Sequence, residues 1–203
     1  MEANISISLA GLKGMRGDFD EARALADGAR QTYRELGLRL AIAGLTQVSG
    51  PLELLAGNLE GAEQELREGL EIMEPVGSVG YQAALLANVL LRRGATDEAE
   101  RLASLAQAEA ADDNIAAQVV WRGVKARLNA DPLLAQEAVG VADLTDDLNL
   151  RADALVNLAE SLLLTEAPDE AADALQRAVE LYEQKGNVVG AAQASMIASE
   201  RVR

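Results

Sequence analysis

Residues 155–178 carry Leu155, Leu158, Ala159, Leu162, Ala171, Leu175 and Ala178, and residues 83–106 repeat those offsets with Ala83, Leu86, Ala87, Leu90, Ala99, Ala103 and Ala106. Within each half the spacing is i, i+3, i+4, i+7, which lines one face of a helix with apolar side chains. A turn separates the halves, "GATDEA" at 94–99 and "EAPDEA" at 166–171. Two helices joined by a short turn make an antiparallel hairpin. Such a hairpin cannot bury its stripe alone, so a chain built from copies of it must stack them.

The turn recurs earlier as "GDFDEA" (17–22) and "GNLEGA" (57–62). Gly17, Gly57 and Gly94 suit the left-handed conformation that ends a helix. Asp18, Asn58 and Asp97 stand where the next helix needs a cap. Small residues at Ala10, Gly50, Ala87 and Ala159 each lie 19 positions before a second one, at Ala29, Gly69, Ala106 and Ala178. They let paired helices approach closely. The pattern predicts eleven helices, about 2–15, 18–36, 38–56, 59–74, 77–93, 96–111, 113–130, 131–145, 147–166, 168–185 and 187–202.

A small residue in the first helix, a glycine turn, "EA" opening the second helix and a further alanine near its end resemble the tetratricopeptide motif, with a nominal period of about 34 residues. The long, uneven spacing here is similar to the MalT-like branch. The stretches "GDFDEARALADGARQTYRELGLRLAIAGLTQVSG" and "TDDLNLRADALVNLAESLLLTEAPDEAADALQRAVELYEQKGNVVGAAQAS" look like the C-terminal repeat region of actinobacterial multidomain regulators. Those regulators carry a cyclase-type or DNA-binding domain and an ATPase module. The resemblance implies an all-α, right-handed superhelix of about five hairpins (2–36, 38–74, 77–111, 113–145, 147–185) plus a C-terminal capping helix (187–203), forming one domain over 1–203. It departs from the motif at Lys13 and Glu53, where a large apolar residue is usual, and at Pro51, which should kink its helix.

The fourth repeat is trimmed. Its small residues Ala126 and Ala138 are 12 apart instead of 19, and the difference is close to two helical turns. The hairpin is therefore expected to survive with both helices shortened, Asp131 capping the second and Pro132 starting it. Trp121, the only tryptophan, is expected to be buried against this repeat rather than to anchor an interface.

Composition narrows the chemistry. The chain of 203 residues has no cysteine and no histidine, which removes disulfides, thiolate ligands, the usual neutral-pH base and the commonest metal ligand. Eighteen basic residues against 33 acidic ones give −15, a charge that repels nucleic-acid phosphates and anionic lipid. No apolar run approaches the roughly 18 residues of a membrane helix. The N-terminus lacks the basic start and long apolar stretch of a secretory signal, so a cytoplasmic setting is expected. The glycine-rich "GLKGMRG" (11–17) lacks the ending of a phosphate loop and reads as a helix and its turn. Asp112-Asp113 and Asp146-Asp147 read as helix starts rather than metal ligands.

In the fold that the resemblance implies, first helices line the concave surface, one residue out of step with the packing stripe. That register selects Gln47, Tyr81, Asn88, Arg92, Arg127, Asn157 and Glu160 as peptide-groove candidates. Arg and Asn there suit peptide backbone or carboxylate recognition. The expectation is a non-catalytic scaffold without cofactor or metal, the sensor or coupling segment of a larger bacterial signalling or transcription regulator. Its partner would be a basic or apolar peptide or another domain of the same polypeptide, with no nucleic acid and no membrane. The alternative is a structural homo-oligomerisation module.

Overall fold

A computed structural model describes residues 2–201, Arg201 by its backbone alone. The expected ends at Met1, Val202 and Arg203 lie outside these described residues. Among them the chain is all-α, without a strand: α1 (Glu2–Met15), α2 (Phe19–Glu35), α3 (Arg39–Leu55), α4 (Leu59–Met73), α5 (Gly80–Arg92), α6 (Thr96–Glu109), α7 (Ile115–Asn129), α8 (Pro132–Ala142), α9 (Leu148–Leu164), α10 (Pro168–Lys185) and α11 (Val188–Arg201). A 3₁₀ turn, Glu74–Val76, leads from α4 towards α5. Helices pack on their neighbours in sequence. Each odd-numbered helix up to α9 lies most extensively against the even one after it, and those up to α7 also against the next odd helix.

The repeated small residues explain the close packing. Ala10, Ala87, Ala106, Ala126, Ala138, Ala159 and Ala178 are completely buried, and Ala29 nearly so. At Gly50 a side chain has no room, because its Cβ would fall 2.6 Å from Leu66 Cγ. Gly69 is needed for another reason. Its Cβ would overlap the amide of Gln82, which donates to Thr46 Oγ1 in the buried joint between the second and third hairpins. The Gln82 Oε1 atom in that joint has no hydrogen-bond partner.

The turns follow the expected chemistry in part. Gly17, Gly57 and Gly94 all have positive φ, ending α1, α3 and α5. The last two hairpins lack the glycine and place Ala130 (φ 48°) and Glu166 (φ 60°) in the left-handed region, at a cost of order 1 kcal/mol each. Asn58 caps α4, accepting from Gly61 N–H at 3.1 Å, and Asp147 caps α9. Asp18 occupies the cap position without a side-chain bond, whereas Asp97 lies inside the first turn of α6. Asp113 is likewise displaced, because Asn114 is the residue that caps α7.

The trimmed fourth hairpin is intact. Asp131 Oδ1 accepts from Leu133 and Leu134 N–H, both at 3.1 Å, and Pro132 starts α8. Only α8 is shortened, to 11 residues; α7 keeps 15, so the expectation that both helices shrink is corrected. The lost residues came from the turn and the second helix, and Ala130 makes the reversal tight enough to spare α7. Trp121 is buried, donates to Gln118 Oε1 at 3.1 Å and has the Arg122 guanidinium 4.2 Å from its ring centroid.

The two departures from the motif have partners. Lys13 pairs with Glu21 at 2.8 Å. Glu53 is buried, but Arg23 grips both its oxygens at 2.7 and 2.9 Å and Asn58 donates to it at 2.8 Å. The Arg23 guanidinium therefore holds the Glu53 carboxyl below its ordinary 4.5. Helix α3 runs on through Pro51, which cannot donate to the Gln47 carbonyl one turn back.

The stack curves until its ends meet. Helix α11 packs on α10 and also touches α1. Gln193 donates to the Leu55 carbonyl at 2.9 Å, and Asn149 Nδ2 lies 3.5 Å from Met15 Sδ. Asn187 donates in turn to Asn149 at 3.0 Å. These contacts form a seam that closes the inner face.

Candidate functional site

Odd-numbered helices face inward, and α11 lies across the seam, so the inner face forms a half-open cavity of about 1410 Å³. Typical small-molecule pockets are roughly 300–1,000 Å³, so this one has room for a segment of several residues. One wall is apolar, with Val48, Leu52, Leu55, Leu85, Val89 and Val119. All seven residues selected from the sequence line the cavity: Gln47, Tyr81, Asn88, Arg92, Arg127, Asn157 and Glu160.

Three of the seven form a ladder. Asn88, Arg127 and Glu160 each follow the small residue of their helix (Ala87, Ala126, Ala159), so they occupy equivalent positions in three consecutive hairpins. Arg127 donates to Glu160 Oε2 at 2.7 Å and to Asn88 Oδ1 at 2.5 Å. The Arg127 side chain is 7% exposed, and its Nε has no hydrogen-bond partner. Burial works against its charge and lowers its pKa, while Glu160 opposes that shift. Pairing a buried guanidinium with a carboxylate is what makes its burial tolerable.

Arg92, one turn further along α5, is exposed and faces the same cavity. No ion pair or hydrogen bond engages it among the described residues. Gln47, Tyr81 and Asn157 are half-buried in the wall. Asn157 fits because α7 offers Gly123 opposite it, where a Cβ would fall 2.5 Å from the Asn157 Nδ2.

Sequence reasoning missed four polar lining residues that now matter: Asp153, Tyr182, Asp147 and Asn149. The Tyr182 hydroxyl, on α10, donates to Asp153 Oδ1. Tyr33 donates to Asn4 at the equivalent position of the first hairpin, so a repeat alignment extended outward from the small residues would have found the pair. Asp153 is exposed and lines the cavity. Lost hydration pushes its carboxyl up to about 6. Tyr182 and Arg92 oppose that shift, and Asp147 adds to it. Burial also pushes Tyr81 up to about 12, with Asp153 and Asp147 reinforcing it. Asp147 was read from sequence as a helix start; it caps α9 through Asn149 and Leu150 N–H, and its position also brings it to the cavity.

Chemically, this wall is built to bind. Arg92 offers donors, Asp153 offers acceptors, and the Asn and Gln side chains offer both. The Tyr182 hydroxyl is raised by burial well above its ordinary value and is a poor nucleophile. No group of three or more acidic side chains that could hold a metal occurs among the described residues. No helix among them is long and apolar enough to cross a membrane.

A second cleft, between α2 and α4, is lined by Arg30, Arg34, Glu63, Glu65, Arg67, Glu68 and Arg93. Most of its charges satisfy one another: Arg30 pairs with Glu65 and Glu68, and Arg93 with Glu63, while Glu60 and Glu71 are exposed. These pairs hold helices together. Comparison with known families and with curated proteins finds no match for this chain.

Proposed function

We propose that this chain is a non-catalytic recognition scaffold, a tetratricopeptide-like solenoid that takes a short peptide segment into its central cavity. The observation that carries this reading is the half-open inner face of about 1410 Å³, lined by apolar side chains and a few polar groups left without partners. An apolar lining with a few placed polar groups is the usual make-up of a binding site. The stacked hairpins and their shared small residues support the tetratricopeptide reading. The motif resemblance supports a place in a larger, cytoplasmic bacterial regulator, in which occupancy of the cavity would alter domain docking. Photo-crosslinking from a benzoylphenylalanine placed at Asn88, followed by mass spectrometry of the captured peptides, tests it. Recurrent peptides crosslinked at this site, and lost when Leu85→Trp fills the cavity, are expected. Capture that is unchanged by filling the cavity would sink the reading.

A second reading, self-association, is favoured by one feature. Ile5, Leu9 and Leu12 are 61%, 39% and 50% exposed and form a row along α1. Such a row would be covered if two copies paired through α1. Light scattering over a concentration series decides: a monomer throughout removes this reading for the segment, and a dimer abolished by Leu9→Lys supports it.

A further inference from the structure

Resting on the reading that the cavity receives a peptide, we propose that Asp153, backed by Tyr182, anchors one lysine or arginine side chain of an otherwise apolar segment. Among the described residues, the cavity lining carries four carboxylates and two guanidinium groups. Arg127 and Glu160 neutralise each other at 2.7 Å, which leaves Arg92 against Asp147, Asp153 and Glu200. The chain as a whole is at −15, so a cation is drawn toward this interior and an anion is repelled.

Among these acids Asp153 is the one suited to hold a ligand. Asp147 is already spent capping α9. Asp153 accepts from Tyr182 alone, and a carboxylate has room for several donors. Among the described residues no cation lies within ion-pair distance of it, although Arg92 acts on it from farther away, and lost hydration pushes its carboxyl up to about 6. An incoming ammonium or guanidinium supplies the missing charge and donors, as in other charge-assisted pairs.

The rest of the cavity fits the remainder of such a segment. Leu52, Leu85 and Val89 take flanking apolar side chains. Arg92 opposes the bound cation, so it sets the affinity in the contrary direction to Asp153.

Calorimetric titration of the full chain tests this with three acetylated and amidated pentapeptides: Leu-Ala-Lys-Ala-Leu, the same with glutamine for lysine, and the same with glutamate. The lysine peptide is expected to bind best. Asp153→Asn, a substitution that conserves shape, should weaken it about tenfold or more. Arg92→Gln should tighten it, and neither change should affect the glutamine peptide. Urea unfolding of both variants checks that the fold is kept. Equal binding of lysine and glutamine peptides, indifferent to Asp153→Asn, overturns the anchor while leaving the peptide reading standing. A glutamate peptide that binds best and is lost with Arg92→Gln reverses the assignment. Binding of n-butylammonium but of no peptide overturns the occupant. Binding of nothing overturns both this proposal and the reading beneath it.

Discussion

The two ends of the stack use the same hairpin but join successive copies by different forces. From α2 to α6 the outer helices are tied by ion pairs: Arg30 on α2 to Glu65 and Glu68 on α4, and Arg67 on α4 to Glu98 on α6 at 3.0 Å. From α7 onward one continuous apolar cluster runs from Val119 through Leu155 and Leu175 to Ala194. The matching cluster around α1, α2 and α3 is small, centred on Ala10, Ala29, Tyr33 and Leu45. Apolar burial is indifferent to pH and salt, whereas ion pairs are not. The repeat geometry is therefore compatible with either force, and the halves should answer differently to the same perturbation.

The largest break should come from the apolar side. Leu175→Ala empties a fully buried position and should cost about 3 kcal/mol in urea unfolding, in the range for leucine truncation. A cost below about 1 kcal/mol would mean that the cluster is not what holds α9 to α10. Next is Arg30→Met on the charged side. It strips Glu65 of its cation and leaves Glu68 to Arg34 alone at 3.2 Å, and should cost about 2 kcal/mol, less than a fully buried pair because both acids are partly exposed. Adding Glu65→Gln should recover part of the loss. No recovery would show that Arg30 acts through packing alone.

Acid should separate the halves by sign. Asp153 is raised in the folded chain to about 6 from 3.8, so folding takes up a proton and stability should rise as pH falls from 7 through 6 toward 4. Lost hydration is the first cause of this shift, Tyr182 and Arg92 oppose it, and Asp147 adds to it. Glu53 and Glu98 are lowered by Arg23 and Arg67, so the stability they add is present above about 4.5 and lost below it. Hydrogen exchange, corrected for intrinsic rate, should slow in α9 and α10 between pH 7 and 5, and quicken in α2 to α6 below pH 4. Asp153→Asn should remove the first change and leave the second. The smallest effect is at the left-handed turns. Glu166→Gly should stabilise by about 0.5–1 kcal/mol, while the same exchange at a helical position would cost as much.

The helices and their pairing were legible because each is specified locally. Ala and Leu at helical spacing mark the buried stripe, and a glycine, Asp-Pro or Ala-Pro marks the turn inside each hairpin. The inner-face register was legible for the same reason, and the seven residues it selected all line the cavity. Asp153 and Tyr182 were not, because they lie beyond the stripe and matter only once α9 and α10 are paired. The closure was not legible either. It depends on a small rotation at every joint, summed over five hairpins, and no window of sequence expresses that sum. The ion pairs of α2, α4 and α6 escaped for a like reason, since opposite charges 30 or more residues apart carry no periodic signal.

The seam also sets an order of events. Its two contacts join residues 134 and 138 apart, Asn149 to Met15 and Gln193 to Leu55, whereas the tyrosine contacts within hairpins span 29. Closing a long loop costs more chain entropy than closing a short one, and non-local contacts form late. Hairpins can therefore zip up one upon another before the ends find each other. The cavity acquires its last wall only at that final step. Competence to bind thus arrives after the fold is otherwise complete, and it is the first property surrendered when the ends part.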